Sequence, residues 1–153
     1  MNGTVRVPAV RAVIMHEGRF LLAQHHNHLP GTIGKWGLPG GRIEAFDADL
    51  IGALRRELQE EFCMTADIIG FVAVYSYRCR AHQVFLARPH SLELTPKEDE
   101  ILDSAWLTLA EVSRWHEQGQ LHTGFELPAI RAAMARYGKL VADWVREQPH
   151  TES

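Results

Sequence analysis

Three glutamates within one short stretch constrain this chain more than any other feature. Glu57, Glu60 and Glu61 stand in the run Arg56-Glu57-Leu58-Gln59-Glu60-Glu61, and on an α-helix they fall within an arc of roughly 100°. Like charges three and four residues apart destabilise an isolated helix by roughly 0.2–0.5 kcal/mol per pair. A divalent cation such as Mg²⁺ prefers oxygen ligands and commonly bridges carboxylates to phosphates. The pattern therefore predicts a metal site on one side of this helix.

The same helix also has an apolar side. We expect it to cover residues 48–62, where Leu50, Leu54, Leu58 and Phe62 repeat at helical spacing next to the carboxylates. One helix can then pack on a sheet and hold a site beside it.

Together with the glycines before them, these residues resemble the signature of the Nudix hydrolase family (MutT-like), Gly-x5-Glu-x7-Arg-Glu-aliphatic-x-Glu-Glu-x-Gly-aliphatic. The match covers residues 41–64, and the preceding Lys35-Trp36-Gly37-Leu38-Pro39-Gly40-Gly41 is also typical. Two departures stand out. Fourteen residues separate Gly41 from Arg56, one more than in the family, so that Asp47 stands where Glu is expected. Cys63 replaces the Gly that would relieve a left-handed turn after the helix.

The resemblance implies a Nudix-type α/β/α sandwich with a mixed sheet, as one domain over residues 1–153. The pattern of strands and helices agrees with it, because alternating apolar runs separated by Gly and Pro predict strands and longer amphipathic runs predict helices. Strands are predicted over residues 10–15, 19–24, 35–38, 68–77, 82–87 and 103–107, and further helices over 109–118, 127–137 and 139–146, followed by a frayed tail over 149–153.

By the same resemblance, Glu57 and Glu61 are the direct ligands of Mg²⁺ or Mn²⁺, and Glu60 is either a ligand or the base that activates water. Gly41, with Gly40, brings backbone atoms close to the metal or a phosphate. The alternative is a solvated acidic helix face that follows an ordinary turn.

Arg56 is the third residue assigned to catalysis. The resemblance implies that it anchors a loop carboxylate and thereby orients Glu57. Counting from Gly41 favours Asp47 as its partner, whereas the unshifted Gly-Gly-x-x-Glu match favours Glu44, so both stay open.

An extra carboxylate outside the signature often assists in the family. Glu98, Asp99 and Glu100 precede the strand around Trp106, at the place where such a residue is common. A solvated acidic loop is the alternative for each of them.

Substrate contacts are expected from two basic groups. His25, His26 and His28 follow the second strand, where the family commonly has a basic residue. Arg78, Arg80 and His82 alternate, which predicts one shared strand face. Three aromatic residues could stack on a base, although core packing is the more frequent role in such strands; they are Trp36, Tyr75 and Tyr77.

Composition excludes several classes of protein. The net charge of −3 provides no basic field for nucleic acid, and no apolar run approaches the roughly 20 residues of a membrane span. Cys63 and Cys79 have no metal spacing; two free thiols in the cytoplasm are the simpler interpretation, and a disulfide stays open. A homodimer is neither required nor excluded by the sequence.

The leading hypothesis is a pyrophosphohydrolase that acts on a nucleoside di- or triphosphate. An ADP-ribose or nucleotide-sugar hydrolase is the alternative within the enzyme class, although neither the Pro nor the Tyr frequent after the signature in related subfamilies occurs around residues 79–82. A catalytically silent nucleotide-binding domain is the second alternative, but such domains usually lose the carboxylates retained here.

Overall fold

The computed structural model describes residues 6–26 and 31–147, and only the backbone within 145–147. His28 and the predicted tail lie outside the described residues. Along this part of the chain the elements are β1 (Ala9–His16), β2 (Arg19–His25), β3 (Trp36–Gly37), β4 (Gly40–Arg42), α1 (Leu50–Phe62), β5 (Ala66–Tyr77), β6 (Arg80–Pro89), β7 (Ile101–Thr108), α2 (Leu109–Glu117) and α3 (Glu126–Glu147).

The strands form one mixed sheet around β1. The order is β3-β2-β1-β6-β5, with β4 paired to β1 and β7 paired to β2. Strands β1 and β6 are parallel, and the other pairs are antiparallel. Both faces of β1 are buried: Val10 and Ile14 belong to one apolar core, and Val13 and Met15 to the other. A strand covered on both faces has a nearly continuous apolar sequence, and β1 is apolar except at Arg11 and at its last residue, His16.

Helices cover the two faces of the sheet. Leu54, Leu58 and Phe62 of α1 pack in the first core, whereas Val112 of α2 and Ile130 of α3 pack in the second. The predicted α/β/α sandwich with a mixed sheet is therefore confirmed. None of the described helices is long and apolar enough to cross a membrane.

The two C-terminal helices predicted around Gly138 are wrong as separate elements. They form one helix of 22 residues, α3. A Gly inside a helix costs only about 0.5–1 kcal/mol relative to Ala, and the helix continues because Val141 and Trp144 pack in the same core as Ile130 and Ala133. This burial outweighs the local preference of one residue.

The predicted strand face of Arg78, Arg80 and His82 is also wrong in part. Arg78 and Cys79 form the two-residue turn between β5 and β6, with left-handed φ angles of 50° and 63°, and Tyr77 pairs with Arg80 across it. Two left-handed residues match the twist of a tight hairpin. Arg78 therefore lies at the tip of the hairpin rather than on the strand.

Helix α1 begins later than predicted, at Leu50, because the side chain of Asp49 accepts a hydrogen bond from the Gly52 amide and caps the helix. It ends at Phe62, and the capping residue Cys63 has a left-handed φ of 53° and donates its amide hydrogen to the Gln59 carbonyl. This is the conformation in which the family has Gly. Both cysteines are free and exposed, so the disulfide that the sequence left open is not formed.

Candidate active site

A cavity of about 800 Å³ opens at the end of the sheet where β4 meets α1. Its walls come from both sides of the sheet. Carboxylates of α1 form one wall, and Arg11 and His82, on the face of β1 and β6 that packs against α3, form the other.

Glu61 is the most buried carboxylate of the cavity, with only 1% of its surface exposed. Its Oε1 accepts a hydrogen bond from the Gly40 amide at 2.9 Å, and its Oε2 accepts one from His25 Nε2 at 2.7 Å. Both donors fix the carboxylate against β4. The position of Gly40 requires glycine, because a Cβ there would lie 2.0 Å from the Val10 carbonyl oxygen and φ is +136°.

Glu57 lies against Gly41 on the next turn of α1. A Cβ on Gly41 would come within 2.5 Å of Glu57 Oε2, so glycine leaves the space that this carboxylate occupies. Burial, followed by the charges of Glu61 and Glu60, raises the pKa of Glu57 to about 7, against the opposing charge of Arg56. Burial and the neighbouring carboxylates thus outweigh the stabilising charge of Arg56 on the ionised form of Glu57.

Arg56 holds the carboxylates from the side. Its Nη1 donates to Glu57 Oε1 at 3.1 Å and to Glu60 Oε2 at 3.0 Å. Its Nε and Nη2 donate to Asp47 Oδ1 and Oδ2 at 2.9 and 2.8 Å, and these hydrogen bonds lower the pKa of Asp47. Of the two partners left open by the sequence, the structure places Asp47 opposite Arg56, whereas Glu44 instead donates its amide hydrogen to Asp47.

Of the three candidates for an extra carboxylate, Asp99 and Glu100 line the cavity. Burial and the nearby charge of Glu61 raise the pKa of Glu100. Glu98 is not among the lining residues; its carbonyl oxygen accepts a hydrogen bond from His26 Nε2 at 2.7 Å. The geometry thus brings Glu100, but not the side chain of Glu98, to the carboxylates of α1.

His25 and His26 both line the cavity, as do Arg78 and Arg80. His25 is engaged with Glu61 rather than free for substrate. Arg80 Nη1 donates to the Val7 carbonyl. Arg78 lies over the ring of Tyr77, which also lines the cavity.

Tyr75 and Trp36, the other two aromatic residues considered for stacking on a base, pack in the core instead, which the sequence favoured. Tyr75 stacks on Phe125 with 5.1 Å between ring centroids, and Trp36 packs against Trp115 at 5.0 Å.

Three residues form the far wall: Arg11, His82 and His122. His82 was among the basic candidates from the sequence, whereas Arg11 and His122 were not identified from it. Arg11 Nη1 donates to the Gly40 carbonyl at 2.8 Å, and its Nε donates to His82 Nδ1 at 3.4 Å. The Gly40 peptide group therefore links Arg11 to Glu61. An arginine in the apolar run of β1 is the one sequence signal that points to this wall.

Both histidines of this wall are held neutral. Burial, reinforced by the charge of Arg11, lowers the pKa of His82 to about 3 and that of His122 to about 4. His82 Nδ1 accepts the hydrogen bond from Arg11, so the neutral ring carries its proton on Nε2, which has no hydrogen-bond partner among the described residues.

The donor set fits a hard divalent cation, although no three metal-ligating side chains within the described residues are gathered into a ready site. The oxygens of Glu57 and Glu60 lie on Arg56, and those of Glu61 on Gly40 and His25. Carboxylate oxygens are the ligands that Mg²⁺ and Mn²⁺ prefer, and Glu57, Glu60 and Glu61 supply them from one side of α1.

The family model described as NUDIX domain matches residues 5–125. The chain belongs to the Nudix family, and fold and family together define a Nudix pyrophosphohydrolase. Nudix hydrolases generally use a divalent metal. No curated protein sequence matches the chain.

Several solved structures share the fold. A Nudix hydrolase from Nitrosomonas europaea is 22% identical, with a TM-score of 0.73 over 85% of this chain and 89% of that one. The Nudix domain of Shewanella oneidensis NrtR, complexed with ADP-ribose, is 23% identical, with a TM-score of 0.71 over 88% and 90%. An ADP-ribose pyrophosphatase from Streptococcus suis is 20% identical, with a TM-score of 0.66 over 94% of each chain.

Proposed function

We propose that this protein hydrolyses a diphosphate linkage in a nucleoside diphosphate derivative, with a nucleoside di- or triphosphate as substrate and Mg²⁺ or Mn²⁺ as cofactor. The observation that carries the proposal is that Glu57, Glu60 and Glu61 line one cavity. Burial, followed by the charges of Glu61 and Glu60, raises the pKa of Glu57 there to about 7. Carboxylates arranged in this way are stabilised by a cation.

Glu57 and Glu61 are the proposed metal ligands, with the Gly41 backbone beside them. Glu60 is half exposed and held only by Arg56, so it is free to bind metal or to accept the proton of the attacking water. Arg56 is a positioning residue, because its contacts are to protein carboxylates. Glu100 is the proposed extra carboxylate, in preference to Glu98.

The bound metal would neutralise the diphosphate and lower the pKa of an attacking water. The protein's own residues position the carboxylates and bind the substrate. His25 and the Gly40 amide keep Glu61 in place, and Arg56 keeps Glu57 and Glu60 together. Arg78 and Arg80 line the same cavity, where their guanidinium groups can bind the phosphates of the substrate. His26 lies beside His25 and completes the proposed substrate contacts.

Hydrolysis of ADP-ribose is the alternative, since ADP-ribose is named for two of the similar structures. A nucleoside triphosphate leaves a nucleoside monophosphate and pyrophosphate, whereas ADP-ribose leaves AMP and ribose 5-phosphate. Product analysis therefore separates the two hypotheses.

The test is a panel of nucleotides, ADP-ribose and nucleotide sugars incubated with Mg²⁺ or Mn²⁺. We expect metal-dependent hydrolysis of at least one nucleoside di- or triphosphate, which chelation abolishes and which the Glu57→Gln variant lacks. Arg131→Gln, an exposed change on α3, is the matched control. Binding of nucleotides without turnover of any of them would show a catalytically silent domain instead.

A further inference from the structure

A second hollow of about 520 Å³ adjoins the cavity. The two hollows share four lining residues, so they form one continuous space. Three of these four residues are arginines, namely Arg6, Arg42 and Arg80, and the fourth is Glu44.

The fold brings these arginines together from three separate segments. Arg42 ends β4, and its position pairs with Ala9 of β1. Arg6 precedes β1, and its amide donates to the Cys79 carbonyl at 3.4 Å. Arg80 begins β6, and its guanidinium donates to the Val7 carbonyl. Backbone hydrogen bonds thus fix the positions from which the three side chains extend.

Positive charge exceeds negative charge in this hollow, since three arginines and one glutamate line it. Within the described residues, neither Arg6 nor Arg42 has a side-chain hydrogen bond or an ion pair, and Glu44 is the one carboxylate of the lining. Burial, followed by the charges of Arg42, Arg6 and Arg11, lowers the pKa of Arg80. The cavity therefore has a part lined by the carboxylates of α1 and a part lined mainly by arginines.

We propose that Arg6, Arg42 and Arg80 form a second anion subsite, which binds a phosphate group of the substrate other than the two joined by the cleaved bond. The inference rests on the proposed function and narrows its substrate class. A nucleoside triphosphate carries such a third phosphate, whereas a nucleoside diphosphate and ADP-ribose do not. Planar guanidinium groups bind phosphate through paired hydrogen bonds.

One short phosphate chain can reach both ends of the cavity. Arg6, Arg42 and Arg80 line the same cavity of about 800 Å³ as Glu57, Glu60 and Glu61. The basic and the acidic subsites are therefore two parts of one cavity.

The first test measures binding of inorganic tripolyphosphate by calorimetry, in EDTA, so that it does not depend on catalysis. We expect the wild-type protein to bind and the Arg6→Gln/Arg42→Gln variant to bind at least ~10-fold more weakly, because it loses charged hydrogen bonds. Arg6 and Arg42 are both exposed, so the double variant should fold. A melting temperature equal to that of the wild type verifies this. Arg131→Gln should bind as the wild type does, and Arg6→Lys/Arg42→Lys should retain most of the affinity.

The second test measures kcat/KM for the tri- and diphosphate of the same nucleoside. In Arg6→Gln/Arg42→Gln the ratio of kcat/KM for the triphosphate to kcat/KM for the diphosphate should fall at least ~10-fold.

The subsite would be overturned if the wild type and this variant bound tripolyphosphate equally, or if neither bound it, even if nucleotides are hydrolysed. Arginine-dependent binding without any hydrolysis would retain the subsite and remove the proposed function.

Discussion

Arg56 and Asp47 are joined by two parallel hydrogen bonds, from Nε to Oδ1 at 2.9 Å and from Nη2 to Oδ2 at 2.8 Å. This pairing leaves Nη1 of Arg56 directed at both Glu57 and Glu60. The loop that carries Asp47 therefore fixes the carboxylates of α1 through a single guanidinium group. Two exposed charges at a surface would have little such effect, but here the side chain of Asp47 is only 4% exposed.

The two loop carboxylates should differ sharply on substitution. Asp47→Ala removes both hydrogen bonds to Arg56, so we expect kcat to fall by about 10-fold or more, because misplaced catalytic groups are costly even when they remain present. Glu44→Ala should change kcat by less than about 2-fold, since within the described residues the hydrogen bonds of Arg56 go to Asp47, Glu57, Glu60 and the Arg42 carbonyl rather than to Glu44. Steady-state kinetics of both variants, with melting temperatures, checks this. Equal effects of the two substitutions would contradict the anchoring role of Asp47.

Substitution of Glu57 should separate activity from stability. We expect Glu57→Gln to lower kcat by at least ~10² because an anionic ligand is lost. In the folded protein the pKa of Glu57 is raised from 4.5 to about 7, so the ionised form destabilises the fold as pH rises through this window. The metal-free variant should therefore be at least as stable as the wild type at pH 8. Chemical denaturation in EDTA, compared with turnover in metal, measures both effects.

Divalent metal should stabilise the folded protein. A ligand that binds only the folded state adds about 2.7 kcal/mol at a concentration 100 times its Kd. We expect millimolar Mg²⁺ or Mn²⁺ to raise the melting temperature of the wild type, and Glu57→Gln and Glu61→Gln to lose most of this rise. Because Ca²⁺ also prefers oxygen ligands, it serves as a comparison. If metal raised the melting temperature equally in the wild type and in both variants, the metal would bind at a site other than Glu57 and Glu61.

His82 should make stability depend on pH below neutrality. Its pKa is lowered from 6.5 to about 3 in the folded protein, where its ring is buried and next to Arg11, Arg80 and His122. The unfolded chain therefore binds more protons, so stability is complete above pH 6.5 and is lost as pH falls toward 3. In His82→Phe the loss of unfolding free energy between pH 7 and pH 5 should be smaller than in the wild type. His122 contributes in the same direction and remains in both proteins.

Cys63 occupies a left-handed position, with φ at 53°, that suits glycine better. The strain of such a residue, roughly 1–2 kcal/mol, is partly offset by the greater freedom of Gly in the unfolded chain. We expect Cys63→Gly to raise the free energy of unfolding by about 0.5–1 kcal/mol. Cys63→Ala, which keeps the strain, should show no such gain. Urea denaturation of the three proteins tests the difference, and a gain in the alanine variant would point to the thiol instead of the backbone.

Much of the fold was predictable because it follows from local periodicity. Alternating and continuous apolar runs predicted β1, β2, β5 and β6, and the spacing of Leu54, Leu58 and Phe62 predicted the buried side of α1. The prediction of two helices around Gly138 was wrong because a sequence pattern shows the cost of glycine but not the core that Val141 and Trp144 reach. Arg78 was placed on a strand because alternation does not reveal a two-residue turn without Gly or Asn.

The sequence alone determined that Glu57, Glu60 and Glu61 share one side of α1, because three residues within two helical turns are fixed relative to one another by helix geometry. Only the tertiary structure decided which carboxylate meets Arg56, since one extra residue in the loop changes the register in a way that counting does not resolve. It also decided that Arg11, His82 and His122 form the far wall and that Arg6, Arg42 and Arg80 converge beside it. These groups come from segments distant in the chain, and their proximity depends on strand pairing rather than on local sequence.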